Sequence, residues 1–152
     1  MQLQNIYIIQ GDNMKRKTPI RTIDSIEYVY DYTKGDNLTG GLCGHSVVAM
    51  LTGVSLDEVV EVSKKLTPNE PATKKVLKKW LDYYGIKYAP KSTRFDESVS
   101  LPDICILRLM YVGTKIGHWN LFYKGKYYDP DYGVHDVCPS IMKPFQVWEI
   151  YP

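Results

Sequence analysis

Apolar residues in the middle of the chain recur with the spacing of a helix. Val47 and Leu51 follow Cys43 at intervals of four residues. Side chains four positions apart lie on the same side of an α-helix, so this interval predicts a helix over residues 43–52. Cys43 would then lie in the first turn, near the buried side, and the glycine at position 53 predicts the end of the helix.

Two further helices are predicted between residues 55 and 84. Ser55, followed three residues later by Glu58, is typical of a capping box and predicts a helix that continues to about residue 66. Residues 73–84 combine an apolar face with a lysine-rich face, which predicts a third helix whose lysines face solvent. The expected inward residues of these two helices are Leu56, Val59, Val60, Ser63, Val76, Leu77, Trp80, Leu81 and Tyr84.

From residue 86 onward the pattern changes from helical to extended. Residues 104–112 are almost all apolar, as expected of a strand that is buried on both faces. Lys124 and Gly125 are typical of a two-residue hairpin turn, and the last predicted strand alternates and closes the sheet. The predicted strands of this half are residues 86–89, 104–112, 117–123, 126–130 and 144–151.

The N-terminal part of the chain is less regular. Residues 5–10 predict a short strand, residues 14–19 a basic and exposed connection, and residues 20–33 fit a helix and a strand equally well. The chain contains no repeat, linker or low-complexity tract. We therefore predict a single domain over residues 1–152, of the α+β class, with the helices in the middle and most strands at the end.

Composition and charge narrow the class of protein. The chain has 152 residues, of which 44% are hydrophobic and 24% charged, as in ordinary globular domains. A net charge of +2 gives no reason to expect a nucleic-acid partner. We expect neither a signal peptide nor a membrane-spanning segment, because the N-terminus lacks the signal pattern and no apolar run is long enough. Three widely spaced cysteines do not form a disulfide framework, so we expect a reducing, cytoplasmic environment.

Cys43 is the first candidate for chemistry. The unpaired N–H groups and the dipole at a helix N-terminus stabilise a thiolate, which is the reactive form of cysteine. Gly40, Gly41 and Gly44 surround Cys43 and would let a substrate backbone approach closely. The alternative is a small apolar residue that begins a core helix, a common place for cysteine. Cys105, inside an apolar strand, is expected to be such a core residue.

His118 and Asp129 are the second candidate pair. The predicted turn at residues 124–125 places His118, Asn120, Asp129 and Asp131 on one face of the hairpin, because side chains alternate along a strand. A carboxylate there could hold the imidazole in the tautomer that accepts a proton from a thiol. Asp131 is the alternative to Asp129 as the orienting acid. The alternative to a catalytic role is that these residues are ordinary polar side chains at the edge of a sheet.

These motifs together resemble the papain-like cysteine peptidases. The resemblance rests on Cys-Gly at the start of an apolar helix, on Gly-His-Trp before a strand, and on Tyr-Tyr-Asp-Pro, and it covers residues 37–133. The chain is most similar to the compact branch typified by bacteriocin-processing, double-glycine-leader peptidases. The resemblance implies a helical subdomain that carries the nucleophile, packed on an antiparallel sheet that carries the base. It implies that Cys43 is the nucleophile, His118 the general base and acid, and Asp129 the orienting acid.

The oxyanion donor departs from the pattern of that family. The family has a glutamine just before the cysteine, and here Asn37 stands six residues before Cys43. Asn37 could donate together with the backbone N–H of Cys43, although its side chain is one methylene shorter. Gln10 is the other candidate. Loss of one such donor costs about 10²–10³ in rate, so this position bears directly on activity.

The resulting hypothesis is a thiol hydrolase that cleaves a peptide or amide bond through an acyl-enzyme. The partner is a peptide or protein substrate, without nucleic acid, membrane, metal or cofactor. By analogy, size favours a stand-alone bacterial or phage enzyme, for instance an effector that acts on a host protein. An inactive peptide-binding domain and a transglutaminase-like acyltransferase are alternatives. A metal site is a weaker one, because its candidate ligands match no common zinc spacing: Cys43, His45, His118, His135 and Cys138.

Overall fold

The described helices follow one another in the middle of the chain. The computed structural model describes the backbone of residues 7–10 and 13–16 and the whole of residues 22–31 and 41–152. Helix α1 is Cys43–Thr52, helix α2 is Leu56–Leu66 and helix α3 is Lys74–Tyr83. No helix in this part of the chain has the length and apolar character needed to cross a bilayer.

The predicted helix boundaries are confirmed by their caps. Helix α1 ends at Gly53, whose φ of 75° places it in the left-handed region that glycine adopts without strain. The Ser55 hydroxyl accepts a hydrogen bond from the backbone N–H of Glu58 at 3.1 Å, as the capping box predicts. The inward face of α2 differs from the prediction at two positions, since Val62, which is not predicted to face inward, is buried and Val60, which is, is only partly buried.

The strands form two antiparallel sheets. Strands β1 and β2 pair with each other, and the remaining strands form a sheet in the order β3-β9-β5-β6-β7-β8, with β4 also paired to β9. Strand β9 therefore lies inside this sheet, next to β5. The strands are β1 Tyr7–Gln10, β2 Asn13–Arg16, β3 Lys87–Tyr88, β4 Thr93–Arg94, β5 Ile104–Tyr111, β6 Gly117–Tyr123, β7 Lys126–Asp129, β8 Gly133–His135 and β9 Met142–Tyr151.

Two expectations for the N-terminal part are corrected. The stretch predicted as a basic connection contributes strand β2, because its backbone pairs with β1 in a hairpin, a pairing that periodicity in so short a segment does not reveal. Residues 22–31 form neither a helix nor a strand. They run instead as an irregular segment whose bonds to distant residues are described below.

The large sheet has an apolar cluster on each face. The face toward the helices packs residues such as Ile106, Leu121 and Trp148 against α1 and α3. The opposite face carries a smaller cluster that includes Cys105, Leu107 and Phe122. Burial on both faces explains why β5 is almost continuously apolar. Helices packed on an antiparallel sheet confirm the α+β class.

The hairpin between β6 and β7 has the predicted register. Lys124 and Gly125 have φ values of 43° and 86°, as a turn with two left-handed residues requires, and Tyr123 pairs with Lys126. Because strand side chains alternate, this register puts His118, Asn120 and Asp129 on the same face.

Candidate active site

The candidate nucleophile lies where α1 meets the sheet. Cys43 is the first residue of α1, and α1 packs directly on β6. The contact is close at Gly44, where an added Cβ atom would lie 3.2 Å from Leu77 and 3.3 Å from the indole of Trp119. A Cβ atom at Gly44 would require these neighbours to shift by a few tenths of an ångström, so the glycine lets α1 lie close to β6, the strand that carries His118.

His118 and Asp129 form a buried pair. The Nε2 atom of His118 lies 3.1 Å and 3.0 Å from the two carboxylate oxygens of Asp129. The exposed fraction of the two residues is 3% and 0%, respectively. Since Nε2 faces the carboxylate, Nδ1 is the ring nitrogen left for another partner. The predicted contact between His118 on β6 and Asp129 on β7 is confirmed.

The carboxylate of Asp129 is fixed by further donors. Its Oδ1 atom accepts hydrogen bonds from the backbone N–H groups of Asp131 at 2.9 Å and Tyr132 at 3.1 Å. Its Oδ2 atom accepts one from the Asn120 amide at 3.3 Å. Asp131, the alternative orienting acid, thus contributes its backbone to this carboxylate, and its own carboxylate lies 3.5 Å from the Tyr111 hydroxyl.

The His118 side chain also interacts with Cys43, and its pKa reflects both partners. Burial acts to lower the pKa of His118, but hydrogen bonds to Asp129 and to Cys43, with negative charge on each, outweigh it and raise the value from 6.5 to about 10. For Asp129, burial acts to raise the pKa, and the bonds from His118, Asp131 and Asn120 lower it overall. Both shifts favour the pair of an imidazolium and a carboxylate.

The irregular segment of residues 22–31 joins the helix start to the end of β7. The Tyr28 hydroxyl donates to the backbone carbonyl of Asp129 at 2.5 Å. Asp31 is 1% exposed; its backbone N–H donates to Pro130 at 2.8 Å, and its carboxylate accepts from the N–H of Leu42 at 2.7 Å. Sequence analysis missed these positioning residues, because they lie in a segment whose periodicity is ambiguous.

The other cysteines lie in apolar surroundings. Burial raises the pKa of Cys105 to about 12 and that of Cys138 to about 11. Cys105 is fully buried in β5, so its assignment to the core is confirmed.

His45 points away from the thiol into the helix layer. Its ring lies 4.4 Å from that of Trp80, and its Nε2 atom lies 3.1 Å from the Ser63 hydroxyl. His135 is exposed in β8, where its Nε2–H donates to the carbonyl of Tyr132 at 2.5 Å. Within the described residues, no group of three or more histidine, cysteine or acidic side chains is arranged to hold a metal ion.

The two oxyanion candidates lie outside this description. Asn37 falls between the described ranges, and of Gln10 only the backbone, at the end of β1, is described. Their roles stay predictions. The start of α1 supplies another kind of donor, because the first N–H groups of a helix have no intrahelical acceptor.

Comparison with known proteins does not assign the chain to a family. No protein-family model matches it, and no curated protein matches it either. Its class is therefore argued from the geometry of Cys43, His118 and Asp129.

Proposed function

We propose that this protein is a papain-like thiol hydrolase that cleaves a peptide or amide bond through an acyl-enzyme. One observation carries the proposal. The imidazole of His118 contacts the Asp129 carboxylate through Nε2 and also interacts with the thiol of Cys43, which begins a helix. A cysteine, a histidine and an orienting acid in this order are the parts that nucleophilic thiol catalysis needs.

Each residue has a defined role in the proposed reaction. The Cys43 thiolate attacks the substrate carbonyl carbon, and the electron pair of the C=O bond moves onto oxygen. The His118 imidazolium then protonates the leaving amine as the C–N bond breaks, which leaves a thioester on Cys43. Neutral His118 next takes a proton from water as its oxygen attacks the thioester; the C–S bond breaks, which releases the carboxylic acid and restores the Cys43 thiolate beside the His118 imidazolium.

The orienting acid supports this cycle through its own bonds. Asp129 stabilises the charged ring between the two steps and, with its N–H donors from Asp131 and Tyr132, cannot rotate freely. The cycle requires a reduced thiol, which fits a reducing compartment such as the cytoplasm of a bacterium or of a cell infected by phage. If an amine enters in place of water, the same residues perform acyl transfer.

The test is the pH dependence of Cys43 alkylation by iodoacetamide. The unaltered protein is expected to react down to about pH 5–6, whereas His118→Ala should react only near the pH of a free thiol, about 8.5. Peptide mapping separates Cys43 from Cys105 and Cys138, and Cys138→Ser is the matched control. Equal titration of both proteins near pH 8.5 would overturn the proposal.

Turnover is tested with a labelled peptide mixture. Intact mass should reveal an acyl adduct that is absent in Cys43→Ala. Asn37→Ala and Gln10→Ala then identify the side chain that completes the oxyanion site, with a loss of about 10²–10³ in rate for the correct one. Added amines that capture the acyl group would identify an acyltransferase.

An inactive peptide-binding domain is the second candidate. It is favoured by Asn37, which stands where the similar peptidases have glutamine. In that case, peptides would bind the Cys43→Ala protein and the unaltered protein equally well, and no acyl adduct would form.

A further inference from the structure

Arg108 is a cation beside the candidate nucleophile. It lies on β5, opposite Trp119 on β6, and its guanidinium carbon lies 4.5 Å from the centroid of that indole. A Cβ atom added to Gly117 would lie 2.2 Å from an Arg108 terminal nitrogen. Gly117 is not in the left-handed region of φ. The glycine before His118 therefore serves to let the guanidinium lie against the backbone of β6.

The same indole connects Arg108 to the start of α1. A Cβ atom added to Gly44, the residue after Cys43, would lie 3.3 Å from the Trp119 indole, so the ring beneath the Arg108 guanidinium also adjoins the start of α1. The charges of Arg108 and Cys43 interact: burial lowers the pKa of Arg108, and negative charge on Cys43 counteracts that shift. A negatively charged group close to Cys43 is thus within the field of this guanidinium.

Arg108 has no acidic partner among residues 22–31 and 41–152. None of the hydrogen bonds or ion pairs in those residues involves its guanidinium, although the group is half-buried and carries five N–H donors. On its other side Arg108 pairs with Gln146 of β9, which in turn pairs with Arg94 of β4. Paired residues share a face, so Arg94 lies on the same face of the sheet as Arg108.

We propose that Arg108 binds a carboxylate of the substrate next to the bond that Cys43 attacks, which makes the substrate an acidic peptide. This inference rests on the proposed hydrolase function. A guanidinium can hold a carboxylate through two parallel hydrogen bonds, and its position over the Trp119 ring restrains the Arg108 side chain in advance. Arg108 is a specificity-determining residue, and His118 and Asp129 perform the proton transfers.

The test compares two alkylating reagents of similar size at Cys43. In both, the thiolate forms a bond to carbon and displaces iodide, but iodoacetate carries a negative charge and iodoacetamide does not. Arg108→Gln is expected to lower the ratio of the iodoacetate rate to the iodoacetamide rate about fivefold, while Arg108→Lys lowers it less. Any general change in thiolate formation cancels in the ratio.

The controls separate local charge from net charge and from folding. Lys65→Gln removes one exposed positive charge on α2 and should leave the ratio unchanged. In the unaltered protein the ratio of the iodoacetate rate to the iodoacetamide rate should exceed that of a small free thiol, and it should fall as the sodium chloride concentration is raised. This measurement does not depend on the folding of any variant. A ratio that Arg108→Gln leaves unchanged, or an unaltered protein that behaves like the small thiol, would overturn the proposal.

Two peptides identify the source of the carboxylate through their protection of Cys43 from iodoacetamide. One contains an internal glutamate and an amidated end, and the other contains glutamine and a free carboxyl end. If either peptide protects the unaltered protein but not Arg108→Gln, the proposal is supported. If both peptides protect both proteins equally, the proposal is contradicted.

The reagent ratio is measured at pH 9, where even an ordinary thiol reacts. An unactivated Cys43 would therefore overturn the hydrolase function without deciding the role of Arg108.

Discussion

Two histidines in this protein lie in largely buried surroundings, but their pKa values are shifted in opposite directions. His118, at the start of β6, has its pKa raised from 6.5 to about 10, whereas burial lowers the pKa of His45 from 6.5 to about 4. His118 contacts a carboxylate and a thiol. His45 contacts the Trp80 ring and the Ser63 hydroxyl, and its Nδ1 atom is buried with no hydrogen-bond partner among the described residues.

The comparison shows that the neighbouring groups, rather than burial, decide what each histidine can do. Desolvation disfavours the charged ring in both places. At His118 it is outweighed by a carboxylate held by two backbone N–H groups. At His45 the charge that opposes desolvation is that of Asp31, whose carboxylate accepts a hydrogen bond from the Leu42 N–H group. The first site therefore favours the charged ring, and the second favours the neutral ring.

The largest expected effect comes from removing the carboxylate beside His118. Asp129→Ala leaves the buried imidazolium and two backbone N–H groups without an acceptor, so the free energy of unfolding should fall by about 3–5 kcal/mol at pH 7. Cys43 alkylation at pH 6 should fall with it. Asp136→Ala removes an exposed carboxylate from the same region and should change little. If Asp129→Ala changed stability and alkylation as little as Asp136→Ala, the carboxylate beside His118 would not be what distinguishes the two histidine sites.

The pH dependence of stability should have opposite signs at the two histidines. The pKa of His118 rises on folding from 6.5 to about 10, so its contribution is complete below pH 6.5 and is lost as pH rises toward 10. The pKa of His45 falls on folding to about 4, so its contribution is complete above pH 6.5 and is lost as pH falls toward 4. Each limb has a slope of at most about 1.4 kcal/mol per pH unit.

Denaturant titrations across this range separate the two limbs. His118→Gln should flatten the alkaline limb and leave the acid limb, and His45→Gln should do the reverse. If either variant flattens both limbs, the two sites are coupled and the comparison fails.

Asp31→Asn sharpens the comparison at His45. Loss of the negative charge should lower the pKa of His45 further, because that charge is what opposes desolvation there. The free energy of unfolding should fall by about 1 kcal/mol, since a neutral amide oxygen is a weaker acceptor for the Leu42 N–H group. NMR titration of the His45 ring checks the direction, and an upward shift of its pKa would contradict the electrostatic assignment.

The smallest effect is expected for His45→Phe. The ring keeps its contact with Trp80, the unpaired Nδ1 atom disappears, and the Ser63 hydroxyl retains its bond to the carbonyl of Val60. The free energy of unfolding at pH 7 should change by less than about 1 kcal/mol. Cys43 alkylation should be unchanged. A slower alkylation, as expected for His118→Ala, would show that His45 also acts on the thiol.

Much of the candidate site could be predicted from the sequence because its parts depend on local patterns. Alternation along two strands and the turn at Lys124 and Gly125 define the hairpin register, and that register brings His118 and Asp129 together. The helix that begins at Cys43 follows from the spacing of its apolar residues and from the glycine at its end. Such signals lie within a few residues of the element that they specify.

Contacts between separate segments were decided only by the tertiary structure. Asp31 reaches Leu42, and Tyr28 reaches Asp129, through an irregular segment that has no periodic pattern. The approach of α1 to β6, which places Cys43 beside His118 and Gly44 against Trp119, depends on how the helices dock on the sheet. Docking is set by packing among many side chains that are distant in sequence, and no local pattern records it. Local patterns thus specified helices α1 to α3, the longer strands and the hairpin pair, whereas the packing of distant segments decided which charges act on Cys43 and His45.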